Sequence, residues 1–313
     1  MPDVLPPLPA DWPLAPSVPF TFAQALAAGV SRSRLRIMVD RGALRRLVAS
    51  VYVAALTRDS LPLRLQALAL VVPPDAVVTD ESAGWLHGAE MVLAPGRAGV
   101  VPPVTIFQRT PGMRLRNAVC ASGERGLLAR DIEQIGPLLV TTPLRTACDL
   151  GRLRHADRAI AALDQLLRLR RFSLPELIDD LPRYKGFRGI VQLRRLAPLA
   201  DPRAASPPES ALRMRWLAAG LPRPEPQWEV QGTRGQSWWL DLAAPEFRYA
   251  AEYDGEKFHS TDEDSDHDER RRSWLSEHDG WAFTVVRRRN LYGQHQDCVE
   301  LMLRDFRRHL DVA

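Results

Sequence analysis

Apolar residues near the start of the chain recur with helical spacing in two short stretches. Residues 21–28 and 31–41 each predict a helix, and Gly29 between them is a residue type that commonly ends a helix. Residues 44–53 are rich in strand-forming side chains and are interrupted near the middle, which predicts a β-hairpin. The first part of the chain is therefore expected to form a small domain of two helices and two strands.

The predicted second helix and the hairpin also carry a group of cationic side chains. Those suited to contact phosphates are Arg32, Arg34, Arg36, Arg45 and Arg46. A helix, a turn, a second helix and a hairpin in this order are typical of a winged helix-turn-helix, whose second helix enters the major groove of duplex DNA. A helical protein-interaction domain with a solvated arginine face is the alternative. The pattern favours DNA binding.

Helical and strand-like patterns alternate through the middle of the chain, which predicts a mixed α/β region. Proline and small residues are concentrated at 199–208 and predict a linker between two helical patterns. The expected domains are a proline-rich tail at 1–20, a winged helix-turn-helix at 21–57, an α/β middle domain at 58–198, the linker at 199–208 and a second α/β domain at 209–313.

Composition is that of a soluble globular protein. Hydrophobic residues make up 45% and charged residues 26% of the chain, a balance that excludes collagen-like, disordered and membrane-spanning chains. The first twenty residues lack the basic start and apolar stretch of a secretory signal, so a disordered or extended tail and a cytoplasmic location are expected. The three cysteines suit a reducing compartment.

Charge is distributed unevenly along the chain. Residues 1–200 contain 26 basic and 17 acidic side chains, a net charge of +9, whereas residues 201–313 contain 16 and 21, a net charge of −5. The first part therefore suits a polyanionic partner, and the second part gathers carboxylates.

Four segments of the first two hundred residues resemble the AbiEi-type antitoxin and transcriptional-regulator family. They are residues 25–35, 41–53, 82–88 and 142–150. The resemblance covers about residues 20–200. It implies a DNA-binding winged-helix head followed by a mixed α/β domain without catalytic activity.

The last third of the chain predicts a helix at 209–219 and strands at 226–230, 237–243 and 248–254. Pairing the last two strands around a four-residue turn sets Asp241 opposite Ala250. It also makes Asp241 and Glu252 diagonal neighbours about 7 to 8 Å apart.

Alternation then places Asp254 on the same face of the predicted sheet as Asp241 and Glu252. Leu240 and Leu242 are expected on the other face. Clustered carboxylates with open water positions suit Mg²⁺ or Mn²⁺, so a metal site of Asp241, Glu252 and Asp254 is predicted. The alternative is a solvent-facing sheet surface.

This segment resembles the PD-(D/E)XK nuclease superfamily, and within it the very-short-patch-repair endonucleases. The residues that carry the resemblance are Glu209, Asp241, Glu252-Tyr-Asp-Gly255, Phe258-His259, His267 to Leu275 and Gly280 to Arg287. The resemblance implies a mixed central sheet flanked by helices and metal-dependent cleavage of DNA. Asp254 occupies the position at which most members of the superfamily have lysine. Lys257 lies three positions further along the chain. The resemblance to the repair endonucleases, which also lack this lysine, implies that His259 and His267 take its place.

The predicted fold is thus α/β and multidomain, with a winged helix, a mixed α/β middle region and a nuclease-like domain. The leading functional prediction is a Mg²⁺-dependent DNA endonuclease that holds duplex DNA. A DNA-binding antitoxin-like regulator with an inactive nuclease fold is the alternative, and an RNA-directed nuclease is the third. The predicted catalytic residues are Asp241, Glu252, Asp254, His259, His267 and Glu209, and Arg270 and Arg271 are predicted phosphate contacts. A homodimer is compatible with the sequence.

Overall fold

The computed structural model describes residues 5–48, 50–91, 104–108, 120–123, 125–232, 235–255, 262–292 and 296–312. Within these ranges the chain forms three β-sheets and twelve α-helices, which confirms the predicted mixed α/β class. The chain divides into two units, residues 1–89 with 99–149 and residues 90–98 with 150–313. No helix in the described ranges is long and apolar enough to cross a membrane.

The first five elements of the first unit form what we call the head. They are β1 (Phe20–Thr21), α1 (Phe22–Ala27), α2 (Arg32–Asp40), β2 (Leu44–Val48) and β3 (Val51–Ala54). The strands form an antiparallel sheet in the order β1-β3-β2.

Local signals set the two helices of the head. Thr21 and Ser31 cap them by accepting backbone N–H groups, and Gly29 has the left-handed φ of +83° that the turn between them requires. The predicted helices and hairpin are confirmed. Their assignment as a winged helix-turn-helix stays a prediction.

The proline-rich start of the chain packs onto the head instead of extending as a free tail. Leu8, Trp12 and Leu14 lie against the apolar cluster of the head. The carbonyl oxygen of Pro16 accepts hydrogen bonds from the backbone N–H of Ala54 and from the hydroxyl of Thr57. These apolar contacts order the segment, although its prolines prevent regular helix or strand.

The rest of the first unit contains a five-stranded mixed sheet. Its elements are α3 (Leu61–Ala69), β4 (Ala76–Val78), α4 (Asp80–Leu86), β5 (Val104–Gln108), β6 (Cys120–Gly123), β7 (Ile132–Ile135) and β8 (Leu138–Thr141), followed by α5 (Pro143–Leu153). The strand order is β6-β5-β4-β8-β7. Leu68, Leu86, Ile106 and Val140 are fully buried in the core that α3 and α4 share with this sheet.

A buried network of charges joins several of these elements. Arg145 donates hydrogen bonds to Asp131 Oδ2 at 2.7 Å and to Asp149 Oδ2 at 2.8 Å. Arg125 donates to Asp80 Oδ1 at 2.6 Å and to Asp149 Oδ2 at 2.9 Å. Because each buried carboxylate here has an arginine partner, the network is a structural feature of the unit.

The second unit begins with helices and continues with four strands and further helices. Its elements are α6 (Ala156–Arg168), α7 (Leu174–Asp180), α8 (Ile190–Leu196), α9 (Pro207–Ala218), β9 (Glu225–Gln231), β10 (Ser237–Ala244), β11 (Tyr249–Asp254), α10 (Asp262–Asp279), β12 (Ala282–Arg287), α11 (Arg288–Tyr292) and α12 (Cys298–Val312). The predicted linker at 199–208 lies inside this unit. There, the backbone N–H of Asp201 donates to Asp164 of α6 at 2.8 Å.

The sheet of the second unit has the order β12-β11-β10-β9. β9, β10 and β11 are antiparallel, and β11 and β12 are parallel. α9 and α12 contribute Leu212 and Met302 to a core that contains Tyr249 of β11. Leu275 of α10 packs in another core with Ala250. Successive strand residues point to opposite faces, so these two cores lie on opposite sides of the sheet. The mixed sheet is therefore covered by helices on both sides, as the sequence predicts.

Candidate functional site

The register of β10 and β11 brings two predicted site residues closer than expected. Leu242 pairs with Ala251 and Ala243 pairs with Ala250, so the prediction that Asp241 faces Ala250 is wrong by two positions. The chain reverses in a short 3₁₀ turn and at Arg248, which has a left-handed φ of +47°. The same register, extended by one pair, sets Asp241 directly opposite Glu252.

β9 and β10 are irregular at the same level of the sheet. Their pairing skips Gln227 and Asp241, and Gln227 has a left-handed φ of +51°. Leu240 and Leu242 therefore pack in different cores instead of sharing one face, which corrects the predicted alternation. An irregularity of this kind turns a side chain in a direction that a regular strand does not allow.

Gln227 uses this irregularity to contact two carboxylates. Its Nε2 donates to Glu209 Oε2 at 2.9 Å and lies 3.5 Å from Asp241 Oδ1. Sequence reasoning missed Gln227. The signal that could have found it is Pro226, because proline within a strand indicates an edge or a bulge.

Glu209 lies in the first turn of α9 and is buried. Its Oε1 accepts from the hydroxyl of Ser206 at 2.8 Å, and its Oε2 accepts from the backbone N–H of Ala205 at 2.9 Å. Burial raises the pKa of Glu209 above its ordinary value, and these hydrogen bonds oppose that shift. Glu209 therefore binds the N-cap residue Ser206 and the residue before it, and it also belongs to a cluster of carboxylates.

We call Glu209, Asp241 and Glu252 the carboxylate cluster. Asp241 Oδ2 accepts from the backbone N–H of Tyr253 at 2.8 Å. Burial raises the pKa of Asp241 well above its ordinary value, and the charges of Glu209 and Glu252 raise it further. The cluster therefore favours either proton uptake or a nearby cation.

Two arginines of α10 provide positive charge beside the cluster. Arg271 Nη2 donates to both carboxylate oxygens of Glu252, at 2.8 and 2.9 Å, and Arg272 Nη1 donates to Oε2 at 3.1 Å. Arg271 Nη1 also donates to the carbonyl oxygen of Trp239 at 3.0 Å. Arg271, a predicted phosphate contact, is thus engaged with Glu252, whereas Arg270 is exposed on α10.

Two further predicted site residues, Asp254 and His267, lie outside the cluster. The side chain of Asp254 is 46% exposed and lies 3.4 Å from Nε of Arg287. His267 is exposed on α10. His259 and Lys257 lie outside the described residues. Within the described part of the chain, no three His, Cys, Asp or Glu side chains lie together in a way that could hold a metal ion.

The head presents a second candidate surface, the exposed face of α2. Its exposed positions include Arg32, Ser33, Arg36 and Ile37, which recur at helical spacing, while Leu35 is buried. This face is both cationic and accessible.

The five predicted DNA-contacting arginines divide into two groups. Arg32, Arg36 and Arg46 are exposed. Arg34 donates to Asp11, and Arg45 donates to the carbonyl oxygen of Thr57 at 2.9 Å. Burial lowers the pKa of Arg45 from its ordinary value, as expected for a cation that takes part in packing.

Comparison with known proteins identifies one region and two relatives. Residues 76–199 match the AbiEi antitoxin C-terminal domain, which confirms the predicted resemblance over that range. The chain is also similar to Uncharacterized protein MT2308 of Mycobacterium tuberculosis (strain CDC 1551 / Oshkosh) and to Uncharacterized protein Rv2248 of strain ATCC 25618 / H37Rv. Each is 33% identical over 257 residues, which span 82% of this chain and 90% of the relative.

Proposed function

The chain belongs to the same protein family as these two mycobacterial relatives, and because its residues 76–199 match an antitoxin domain, we propose that it is a DNA-binding regulator of the antitoxin type. The observation that carries this proposal is the exposed, arginine-bearing face of α2. In this function the head binds duplex DNA, and residues 209–313 are proposed to have an inactive nuclease fold. The alternative prediction from the sequence is therefore preferred to the leading one.

The charge of the head supports a polyanionic partner. Residues 20–57 contain six arginines and one acidic residue, Asp40. Arg36 on the exposed face of α2 is 85% exposed. Ile37, beside it, is an exposed apolar side chain suited to contact a thymine methyl group. Cations around a small apolar contact are the composition expected for a helix in the major groove.

Replacing both Arg32 and Arg36 with alanine is expected to make the slope of log K against log salt concentration less negative by about two units. Each phosphate contact releases about one counterion when it forms, and the variant forms two fewer contacts. The measurement is duplex DNA binding by fluorescence anisotropy between low and moderate salt. Arg307→Ala with Arg308→Ala, on the exposed side of α12, removes the same charge elsewhere and serves as the control. Equal slopes for both double variants would contradict the proposal.

A metal-dependent endonuclease is the second candidate function, and the convergence of Glu209, Asp241 and Glu252 favours it. The carboxylates as they stand do not fit a metal ion, since Glu252 is engaged by Arg271 and Arg272. Cleavage would therefore require a rearrangement of α10 or the participation of His259, which lies outside the described residues. Mg²⁺ or Mn²⁺ remains the proposed cofactor for this candidate alone.

For the endonuclease candidate, Asp241→Asn is expected to abolish DNA cleavage and to leave DNA affinity nearly unchanged, because the head carries the phosphate contacts. Purified protein would be incubated with single-stranded, nicked and duplex DNA, with Mg²⁺, Mn²⁺ or a chelator. Glu246→Gln, in the exposed turn between β10 and β11, is the matched control. Cleavage by Asp241→Asn at the wild-type rate would show that the carboxylate cluster is not the active site. If the wild type cleaves none of these DNAs, only the regulator function is retained.

A further inference from the structure

We propose that Arg34 reads a base edge in duplex DNA and that Asp11 and Trp12 hold its guanidinium in position to do so. This inference rests on the DNA-binding function proposed above and adds to it the residue that sets sequence preference. Arg34 is the third residue of α2. In helix-turn-helix proteins, the first residues of the second helix are those that contact base edges.

Arg34 is held from two sides by the N-terminal segment. Its Nη2 donates to Asp11 Oδ1 at 2.7 Å. Its Cζ lies 5.7 Å from the ring centroid of Trp12. The Trp12 ring lies 6.1 Å from the ring of Phe20 and packs against the core of the head, so its own position is set. An arginine with both contacts has fewer accessible orientations than a solvated one.

The pair of Asp11 and Arg34 is poorly explained as a stabilising contact. Asp11 is 73% exposed and Arg34 is 35% exposed. Ion pairs that are this accessible contribute little to folding. A carboxylate beside a DNA-binding helix also repels phosphates, which weakens binding to every duplex alike. The remaining effect of the pair is to orient the guanidinium.

Orientation matters for reading bases more than for contacting phosphates. After donating one hydrogen bond to Asp11, Arg34 keeps about four of its five N–H donors. Two parallel donors in a fixed plane match the O6 and N7 acceptors of guanine in the major groove. A pre-oriented fork loses less freedom when it forms this bidentate contact.

Arg32 and Arg36 differ from Arg34 in this respect. Arg36 has only a 3.5 Å contact with Asp40 of its own helix. Arg32 is exposed, and its guanidinium lies over the ring of Phe22 at 5.1 Å. Neither is held by the N-terminal segment in the contacts described. A cation with one such contact is less restricted than Arg34, which has both a carboxylate and an aromatic contact. It suits phosphates, whose position varies little with sequence.

The test begins with selection of bound sequences from a pool of random duplexes by the full-length wild-type chain. Affinity is then measured for the preferred duplex and for a scrambled duplex of equal length, with the wild type, Asp11→Asn, Arg34→Lys and the control Asp40→Asn. Both Asp11→Asn and Arg34→Lys are expected to lower the ratio of the two affinities roughly tenfold. The loss should come from one G·C position. Asp40→Asn should strengthen binding to both duplexes alike.

Three results would overturn the inference. If Asp11→Asn strengthens binding to both duplexes equally, the carboxylate only repels phosphates. If Arg34→Lys keeps the full sequence preference, Arg34 is a phosphate contact. If the wild type binds all duplexes with equal affinity, Arg34 does not read a base, but the proposed DNA-binding function is retained. If the wild type binds no duplex at all, the proposed function itself is wrong.

Discussion

Arg213→Ala is expected to lower the free energy of unfolding of the second unit by about 3 to 5 kcal/mol, because it leaves a buried carboxylate unpaired. Arg213 Nη2 donates to Asp164 Oδ2 at 2.6 Å, and the two side chains are 5% and 0% exposed. Arg213 also donates to the carbonyl oxygen of Leu199. The substitution therefore removes the cation that faces a fully buried carboxylate, which keeps the backbone N–H of Asp201 as a neutral donor.

The loss at Arg213 should depend on pH. Burial raises the pKa of Asp164 to about 6, and Arg213 opposes that shift. A carboxyl with a raised pKa in the folded state contributes stability below its unfolded pKa of about 3.9 and loses that contribution as pH rises through the folded value. Without Arg213 the folded pKa is higher still. The difference between variant and wild type should consequently shrink as pH falls from about 7 to 5.

Urea unfolding followed by circular dichroism at both pH values measures this effect. Arg215→Ala is the control, since Arg215 pairs with Asp157 at 2.7 Å but is more exposed. Its loss should be smaller. Equal losses for the two variants, or a loss at Arg213 that does not change with pH, would show that the pair is not the buried contact described.

Gly189→Ala is expected to destabilise the second unit by roughly 3 kcal/mol or more, from strain of the left-handed backbone and from overpacking. Gly189 precedes α8 with a φ of +79°. A Cβ at this position would lie 1.7 Å from the carbonyl oxygen of Arg152. Because the obstacle is backbone, it cannot rotate away as a side chain would.

Gly186→Ala separates the two contributions at Gly189. Gly186 lies in the same loop with a φ of +81°, and a Cβ there would meet nothing within 4 Å. It should cost about 1 to 2 kcal/mol, the conformational part alone. Thermal unfolding of both variants and the wild type gives the comparison. If the two variants lose equal stability, the close approach of Gly189 to Arg152 is not important for the fold.

The sequence determined the elements whose signals are local. The side chains of Ser31 and Ser206 each accept a hydrogen bond from the backbone N–H of the residue three positions later in the chain. Gly29 and Gly220, which follow helices, have a left-handed φ. Each of these signals acts within one helical turn, so spacing along the chain is sufficient to find it. The strands of the second unit were predicted for a similar reason, since alternation is also a local property.

Alternation could not determine the register of β10 and β11. The observed pairing differs from the predicted one by two residues, and in a regular strand a shift of two does not change the face on which a side chain lies. The pattern of apolar and polar positions is then the same for both registers. Tyr249 is fully buried, with its ring 5.3 Å from that of Trp216 and its hydroxyl 2.7 Å from that of Thr284. Packing between distant segments therefore decided which register forms.

The partners of the charged residues were also decided only by the tertiary structure. Arg34 and Asp11 are 23 positions apart, Arg271 and Glu252 are 19 apart, and Arg213 and Asp164 are 49 apart. The sequence showed that these residues are charged, but not whether they face solvent, DNA or each other. That outcome depends on how helices and strands pack around shared cores, because packing sets both the distance between two charges and their exposure to water.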